Sequence, residues 1–130
     1  MFGHSKINKQ YTSMCEQADD IQLAWKPTKE DQVKVKGLKD IQILRTINNG
    51  IAYFESNQNA KKEDCIWLPN QYQLEKMDKS WRITWTFYEF IHSGLNKYLK
   101  YFKKEEELWL AFLMYKINMK IWNGKSWTNK

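Results

Sequence analysis

Glycine, cysteine and histidine are scarce in this sequence, and their scarcity excludes several familiar sites. The five glycines among its 130 residues are isolated from one another, so neither a GxxxxGKS/T nor a GxGxxG phosphate-binding loop occurs. The best metal ligands include no pair at the short spacing of a metal site. Those ligands are His4, Cys15, Cys65 and His92. We therefore expect neither a metal ion nor a cofactor.

Long hydrophobic runs are also missing. The longest covers the eight residues 108–115 and suits a buried helix, whereas a membrane-spanning helix needs about 20 apolar residues. We find no apolar segment typical of a secretory signal near residue 1, and two cysteines are too few for a secreted domain held by disulfides. We expect a cytoplasmic protein that does not enter a membrane.

Arginine accounts for only two of the 21 basic residues, although the net charge is +6. Residues 1–60 carry a basic surplus of one and residues 61–130 a surplus of five. A basic surplus favours binding to nucleic acid or to an acidic protein surface. The scarcity of arginine, which suits base edges and phosphate groups best, weakens the nucleic-acid interpretation.

The first half of the chain predicts one helix followed by a small sheet. Apolar residues at helical spacing between Ile7 and Trp25 predict a helix that Ser5 caps and Pro27 ends. Segment 32–37 alternates like a strand, and Asn48-Asn49-Gly50 separates two β-prone runs as a hairpin turn would. We expect an antiparallel sheet of two or three strands, followed by a polar surface loop over 57–64.

The second half predicts three helices of uneven length. Asn70 caps a short helix, Ser80 caps a longer helix that runs to about Lys103, and the last helix runs from Glu105 to about Met119. We expect segment 65–69 to be a short apolar strand or an extended segment, and segment 121–127 to be a small hairpin. The predicted fold is therefore α+β in a single domain of residues 1–130: an N-terminal helix, the small sheet, three C-terminal helices and a terminal hairpin.

Three strings of the sequence are characteristic when they occur together. They are the stretch from Met14-Cys15 to Trp25-Lys26-Pro27, the segment IWLPNQYQLEKM at 66–77, and LWLAFLM at 108–114 leading to WNG at 122–124. Together they resemble small proteins carried by bacteriophages and prophages of low-GC Gram-positive bacteria, with the pattern WLPxQxQLxxM, LWLAFxM and WNGxxW.

The sequence departs from that pattern at two places. An acidic residue is common where Tyr72 stands, and a Gly-Asp pair usually follows Trp-Lys-Pro where Thr28-Lys29-Glu30-Asp31 stands here. The resemblance implies a mobile element inside a bacterial cell and carries over no functional residue.

Residues that could act in catalysis have simpler structural explanations. Cys15 falls on an apolar helix face and Cys65 begins an apolar strand, where a thiol behaves as a small inert side chain. His92 lies beside a predicted inward stripe, and the paired acids fit solvated helix faces, turns and helix starts. We expect no enzymatic activity; a small hydrolase or transferase is the weakest of three hypotheses.

Lysines interleaved with aromatic residues near the C-terminus form the candidate binding surface. It comprises Lys97, Lys100, Tyr101, Lys104, Lys116, Lys120, Trp122, Lys125 and Trp127. Such a pattern can hold single-stranded nucleic acid, but it also fits a buried aromatic stripe with lysines on its solvated side. Trp122 and Trp127 either pack back on the helices or form an exposed contact surface.

Two functions remain for these residues. The first is a non-enzymatic phage or mobile-element accessory protein that binds a host protein or nucleoprotein, a class that includes anti-defence inhibitors of CRISPR effectors. The alternative is direct, non-specific nucleic-acid binding through a basic C-terminal helical face. The sequence identifies neither the partner nor the oligomeric state.

Overall fold

A computed structural model describes residues 9–77, 100 and 102–129 of the chain. It has an α+β fold with N-terminal helices, a five-stranded antiparallel sheet, a C-terminal helix and a two-stranded terminal hairpin. The chain divides into two compact units, Met1–Leu68 and Pro69–Lys130. This division does not test the prediction of a single domain, which stays a prediction.

The described part of the N-terminal unit begins with two helices where the sequence predicts one. Helix α1 covers Lys9–Gln17 and helix α2 covers Asp19–Leu23, and Ala18 between them leaves the helical region with ψ 77°. Asp19 and Asp20 occupy the first turn of α2, where negative charge is favourable. Because Ala18 is itself fully buried, the apolar stripe continues across the break and its spacing hides the interruption. The predicted cap at Ser5 lies outside the described residues.

The sheet has five strands rather than two or three. They are β1 (Gln32–Val35), β2 (Gln42–Asn48), β3 (Ile51–Phe54), β4 (Asn59–Lys61) and β5 (Cys65–Trp67), in the order β4-β3-β2-β1-β5. The predicted hairpin is confirmed, with Asn49 and Gly50 both at positive φ between β2 and β3. The predicted loop over 57–64 is wrong, since it contains β4 and a 3₁₀ turn at Lys62–Asp64. A three-residue polar edge strand has too little hydrophobic alternation to be recognised.

The core of this unit lies on one face of the sheet. The antiparallel register places Val33 beside Trp67 and Leu44 beside Phe54, and all four side chains are buried. The Trp67 ring stacks on that of Trp25 with centroids 6.3 Å apart. The aromatic side chains therefore join the segment after α2 to the edge of the sheet.

The C-terminal unit contains two described helices and a hairpin. Helix α3 (Gln71–Met77) begins with a reciprocal cap, in which Gln73 N–H donates to Asn70 Oδ1 and Asn70 N–H donates to Gln73 Oε1. Helix α4 covers Glu105–Asn118 and contacts both α3 and β6 (Lys120–Trp122). Strand β7 (Trp127–Asn129) completes the predicted hairpin.

The long helix expected from Ser80 to about Lys103 falls mostly on residues 78–99 and 101, outside the described part of the chain. Among the helices that the structure does describe, none is long and apolar enough to cross a membrane.

Candidate binding surface

The described lysines of the candidate surface occupy separate positions along α4 and the hairpin. Lys100 and Lys104 precede the helix, Lys116 lies in its last turn, Lys120 begins β6, and Lys125 lies in the hairpin turn. Because an α-helix rises 1.5 Å per residue, Lys104 and Lys116 are separated by roughly 18 Å along the axis. Lys97 and Tyr101 lie outside the described residues. The lysines thus form two groups, one at each end of α4, rather than one continuous flank.

The charge around these two groups differs. Lys100 is exposed and Lys104 half-buried, and Glu105, Glu106 and Glu107 follow immediately in the first turn of α4. From residue 108 to residue 130, by contrast, the sequence contains four lysines and no acidic residue. The stretch of sequence that is basic without acidic residues therefore comprises most of α4 and the hairpin.

The C-terminal end of α4 also exposes aliphatic side chains. Ile117 is 52% exposed and Met119 is 61% exposed, which is unusual for large apolar residues within a helix-to-strand junction. They lie in the chain between Lys116, which is exposed, and Lys120, which is half-buried. We call Lys116, Ile117, Met119 and Lys120 the C-terminal ridge.

The backbone holds this ridge in a defined conformation. Met119 ends the helix in the left-handed region at φ 55° and ψ 41°, and its N–H donates to the Met114 carbonyl. Glycine or asparagine is usual at such a position, because a side chain there costs energy. A methionine in this position faces solvent and interrupts the helix directly before β6.

Lys125 is positioned by a tight turn between β6 and β7. The Asn123 Oδ1 accepts hydrogen bonds from the N–H groups of Lys125 and Ser126, both at 2.8 Å, and Asn123 N–H donates to the Ser126 carbonyl. Gly124 adopts φ +100°, which this turn requires. The turn leaves Lys125 exposed at the tip of the hairpin, at the end opposite Lys120.

The two tryptophans of the hairpin are not equivalent. Trp122 is only 2% exposed, so the structure excludes it from a surface that a partner can touch. Trp127 pairs with it across the strands, is half-buried, and packs edge-to-face against it with centroids 5.1 Å apart. Trp122 is therefore a buried residue of this unit, and its ring contact with Trp127 partly covers the Trp127 side chain.

Sequence reasoning missed Ile117 and Met119. Ile117 follows Leu113 and Met114 by four and three residues, both of which are buried, so helical spacing predicts burial for Ile117 as well. The helix ends one residue later, and Ile117 is exposed although Leu113 and Met114 in the preceding turn are buried. The one available signal in the sequence was the absence of acidic residues after Glu107, which the net charge of residues 61–130 as a whole does not show.

The remaining candidate groups show little reactive chemistry. Burial, followed by the nearby charges of Asp64 and Glu63, raises the pKa of the Cys65 thiol to about 11, so this thiol is protonated at neutral pH. Among the described residues, no three His, Cys, Asp or Glu side chains gather in a group that could hold a metal ion. His4 and His92 lie outside those residues.

Comparisons of the chain with protein-family models, with curated proteins and with solved structures found no match.

Proposed function

We propose that this chain is a non-enzymatic accessory protein of a bacteriophage or other mobile element and that it binds a host protein or nucleoprotein. The observation that carries the proposal is the C-terminal ridge, in which the exposed side chains of Ile117 and Met119 lie between two lysines in the sequence. Exposed aliphatic side chains with a charged rim are typical of protein-binding surfaces, in which methionine is enriched. The partner surface that fits the ridge is apolar at its centre and acidic at its edge.

The same residues favour a protein over a nucleic acid as the partner. Single-stranded nucleic acid is held by exposed aromatic rings that stack on its bases. The exposed apolar side chains of the ridge are aliphatic, Trp122 is buried, and Trp127 is half-buried against it. Lysine can neutralise phosphates, so non-specific binding to nucleic acid is the alternative that the test must separate.

The cellular setting of the proposal comes from the resemblance to phage and prophage proteins. A small protein of that kind acts in the bacterial cytoplasm and can work by occupying a host component without any reaction. Inhibitors of CRISPR effectors act in this way, and the proposal includes that class through analogy of context.

The test is a pull-down from the lysate of a low-GC Gram-positive bacterium with the immobilised chain. The variant Ile117→Ser/Met119→Ser removes the apolar centre of the ridge and keeps both lysines. Burial of these two side chains against the partner contributes free energy of binding that the double variant loses. We therefore expect the amount of partner retained by the double variant to fall about tenfold or more.

The control variant is Tyr72→Ser, which removes a 64% exposed aromatic side chain from α3 of the same unit. The proposal expects a specific polypeptide that the wild-type chain and Tyr72→Ser retain equally, before and after nuclease treatment. Equal retention by the ridge variant would refute the role of the ridge. Loss of all retained material on nuclease treatment would favour nucleic-acid binding instead.

A further inference from the structure

A groove in the N-terminal unit lies beside the outer edge of β5. Its volume is about 490 Å³, and it is open to solvent. Residues from α1, α2, the 3₁₀ turn and β5 line it, including Glu16, Asp19, Glu63 and Cys65. The groove therefore brings together parts of the chain that are almost fifty residues apart in sequence.

The groove is negatively charged on a chain that is positively charged as a whole. Three carboxylates line it, from Glu16, Asp19 and Glu63, against the single cation of Lys36. The whole chain has a net charge of +6, so this local sign is opposite to that of the molecule. Burial is the first cause of the raised pKa of Cys65, and the negative charges of Asp64 and Glu63 at this edge add to it. A cationic ligand is the one that such a groove attracts.

Apolar side chains accompany the carboxylates. Leu23, the last residue of α2, is 84% exposed at the groove, and Ile66 of β5 lines it as well. An exposed leucine beside three carboxylates fits a ligand that has both basic and aliphatic side chains. A small inorganic cation would leave the leucine uncovered.

The backbone of β5 adds a directional feature. Leu68 N–H donates to the Gln32 carbonyl, and Lys36 N–H donates to the Asp64 carbonyl. Because backbone hydrogen bonds alternate along an antiparallel pair, the N–H and C=O groups of Cys65 and Trp67 point away from β1. At Trp67 that outer edge is occupied, because Gln22 Oε1 accepts from Trp67 N–H and Gln22 Nε2 donates to the Trp67 carbonyl. Cys65 lines the groove, and we infer from the same alternation that its carbonyl points to the outer edge, where the N–H group of an extended peptide can reach it.

We propose that this groove binds an extended basic segment of a partner protein, with lysine or arginine side chains against Glu16, Asp19 and Glu63 and an aliphatic side chain on Leu23. Gln22 limits the backbone pairing to the Cys65 position, so charge and apolar contact supply most of the affinity. This site goes beyond the function proposed above, since it lies in the other unit and uses the opposite charge.

The test measures fluorescence anisotropy of a short fluorescein-labelled peptide of alternating lysine and leucine with the full-length chain. The variant Glu16→Gln/Glu63→Gln removes two exposed carboxylates from the groove without changing side-chain size. The matched control, Glu30→Gln/Glu55→Gln, removes two exposed carboxylates of the same unit that do not line the groove. Exposed ion pairs are individually weak, so we expect each groove substitution to lower the affinity by roughly two- to fivefold.

Several outcomes decide the proposal. It predicts weaker binding for the groove variant only, a steep fall of affinity with salt, and no binding of a peptide in which glutamate replaces lysine. Unchanged affinity in Ile117→Ser/Met119→Ser separates this site from the C-terminal ridge, so either proposal can fail alone. Equal losses in the groove and control variants, or equal binding of the glutamate peptide, would overturn it. Self-association of the chain that the groove variant abolishes would assign the groove to a second copy and overturn it also.

Discussion

Gln22 closes the outer edge of the five-stranded sheet, and its removal is the most informative test of the N-terminal unit. Its side-chain amide forms two hydrogen bonds with the backbone of Trp67, at 2.8 Å and 2.9 Å, and a third with the Cys15 carbonyl at 3.1 Å. The amide thus stands where a neighbouring strand would pair. We expect Gln22→Ala to leave the Trp67 N–H and C=O without these partners.

The size of the effect follows from the burial of Trp67, which is 5% exposed. An unsatisfied buried backbone group costs about 1–3 kcal/mol, and two such groups are left, with water reaching them in part through the open groove. We expect Gln22→Ala to lower the free energy of unfolding of this unit by about 2–4 kcal/mol. With a urea dependence of about 2 kcal/mol/M, the midpoint falls by roughly 1–2 M.

The assay is urea unfolding followed by tryptophan fluorescence, together with hydrogen exchange at the Trp67 amide. The matched control is Gln58→Ala, which removes an exposed glutamine side chain in the β3–β4 turn and should change stability by no more than about 0.5 kcal/mol. If Gln22→Ala behaves like Gln58→Ala and the Trp67 amide keeps its protection, the proposed role of Gln22 at the sheet edge is refuted.

Two further predictions concern the same unit. The Asp31 carboxylate accepts hydrogen bonds from Trp25 Nε1 and from the Thr28 N–H and hydroxyl. Asp31→Ala should therefore lower the free energy of unfolding by about 2–4 kcal/mol, measured by thermal unfolding. A decrease as small as that of an ordinary surface substitution would contradict this prediction. The pKa of the Cys65 thiol is raised from 9.0 to about 11, so its protonated form stabilises the fold below pH 9 and that contribution is lost as the pH rises through 11. Alkylation of Cys65, followed by peptide mass spectrometry, should therefore stay slow until the pH approaches 11, and fast alkylation near pH 8 would show that the thiol is not shielded.

The sequence predicts the strongly patterned elements well. The hairpin around Asn49-Gly50 and the cap at Asn70 follow from local turn and cap chemistry, in which a few adjacent residues determine the backbone. The terminal hairpin around Gly124 is confirmed for the same reason. Local chemistry is readable from the sequence because its energetic causes lie within a few residues of each other.

Features that leave no hydrophobic pattern of their own in the sequence could not be predicted. Strand β4 is polar and short, and only its pairing with β3, in which Ala60 lies opposite Ala52, identifies it as a strand. The break at Ala18 keeps the apolar spacing intact and is therefore invisible to a periodicity argument. Gln22 bonds to a residue 45 positions away, which no local pattern indicates.

The candidate site was predictable only in its charge. The lysines of the C-terminal region are evident from composition, but the sequence could not separate the group near Glu105 from the group that follows Lys116. The burial of Trp122 depends on packing within the C-terminal unit. The spacing of residues in the sequence allowed both a buried and an exposed position for this side chain. The exposure of Ile117 contradicts helical periodicity and required the structure.

The central claim is that the C-terminal ridge contacts a host protein, and photo-crosslinking from the ridge tests it most directly. A photoreactive amino acid replaces Ile117 in one version of the chain and Tyr72 in another, and both are irradiated in host lysate. We predict one specific crosslinked polypeptide from position 117 that position 72 does not give, insensitive to nuclease and lost when Met119→Ser is added. Crosslinks to nucleic acid alone, or the same products from both positions, would contradict the account.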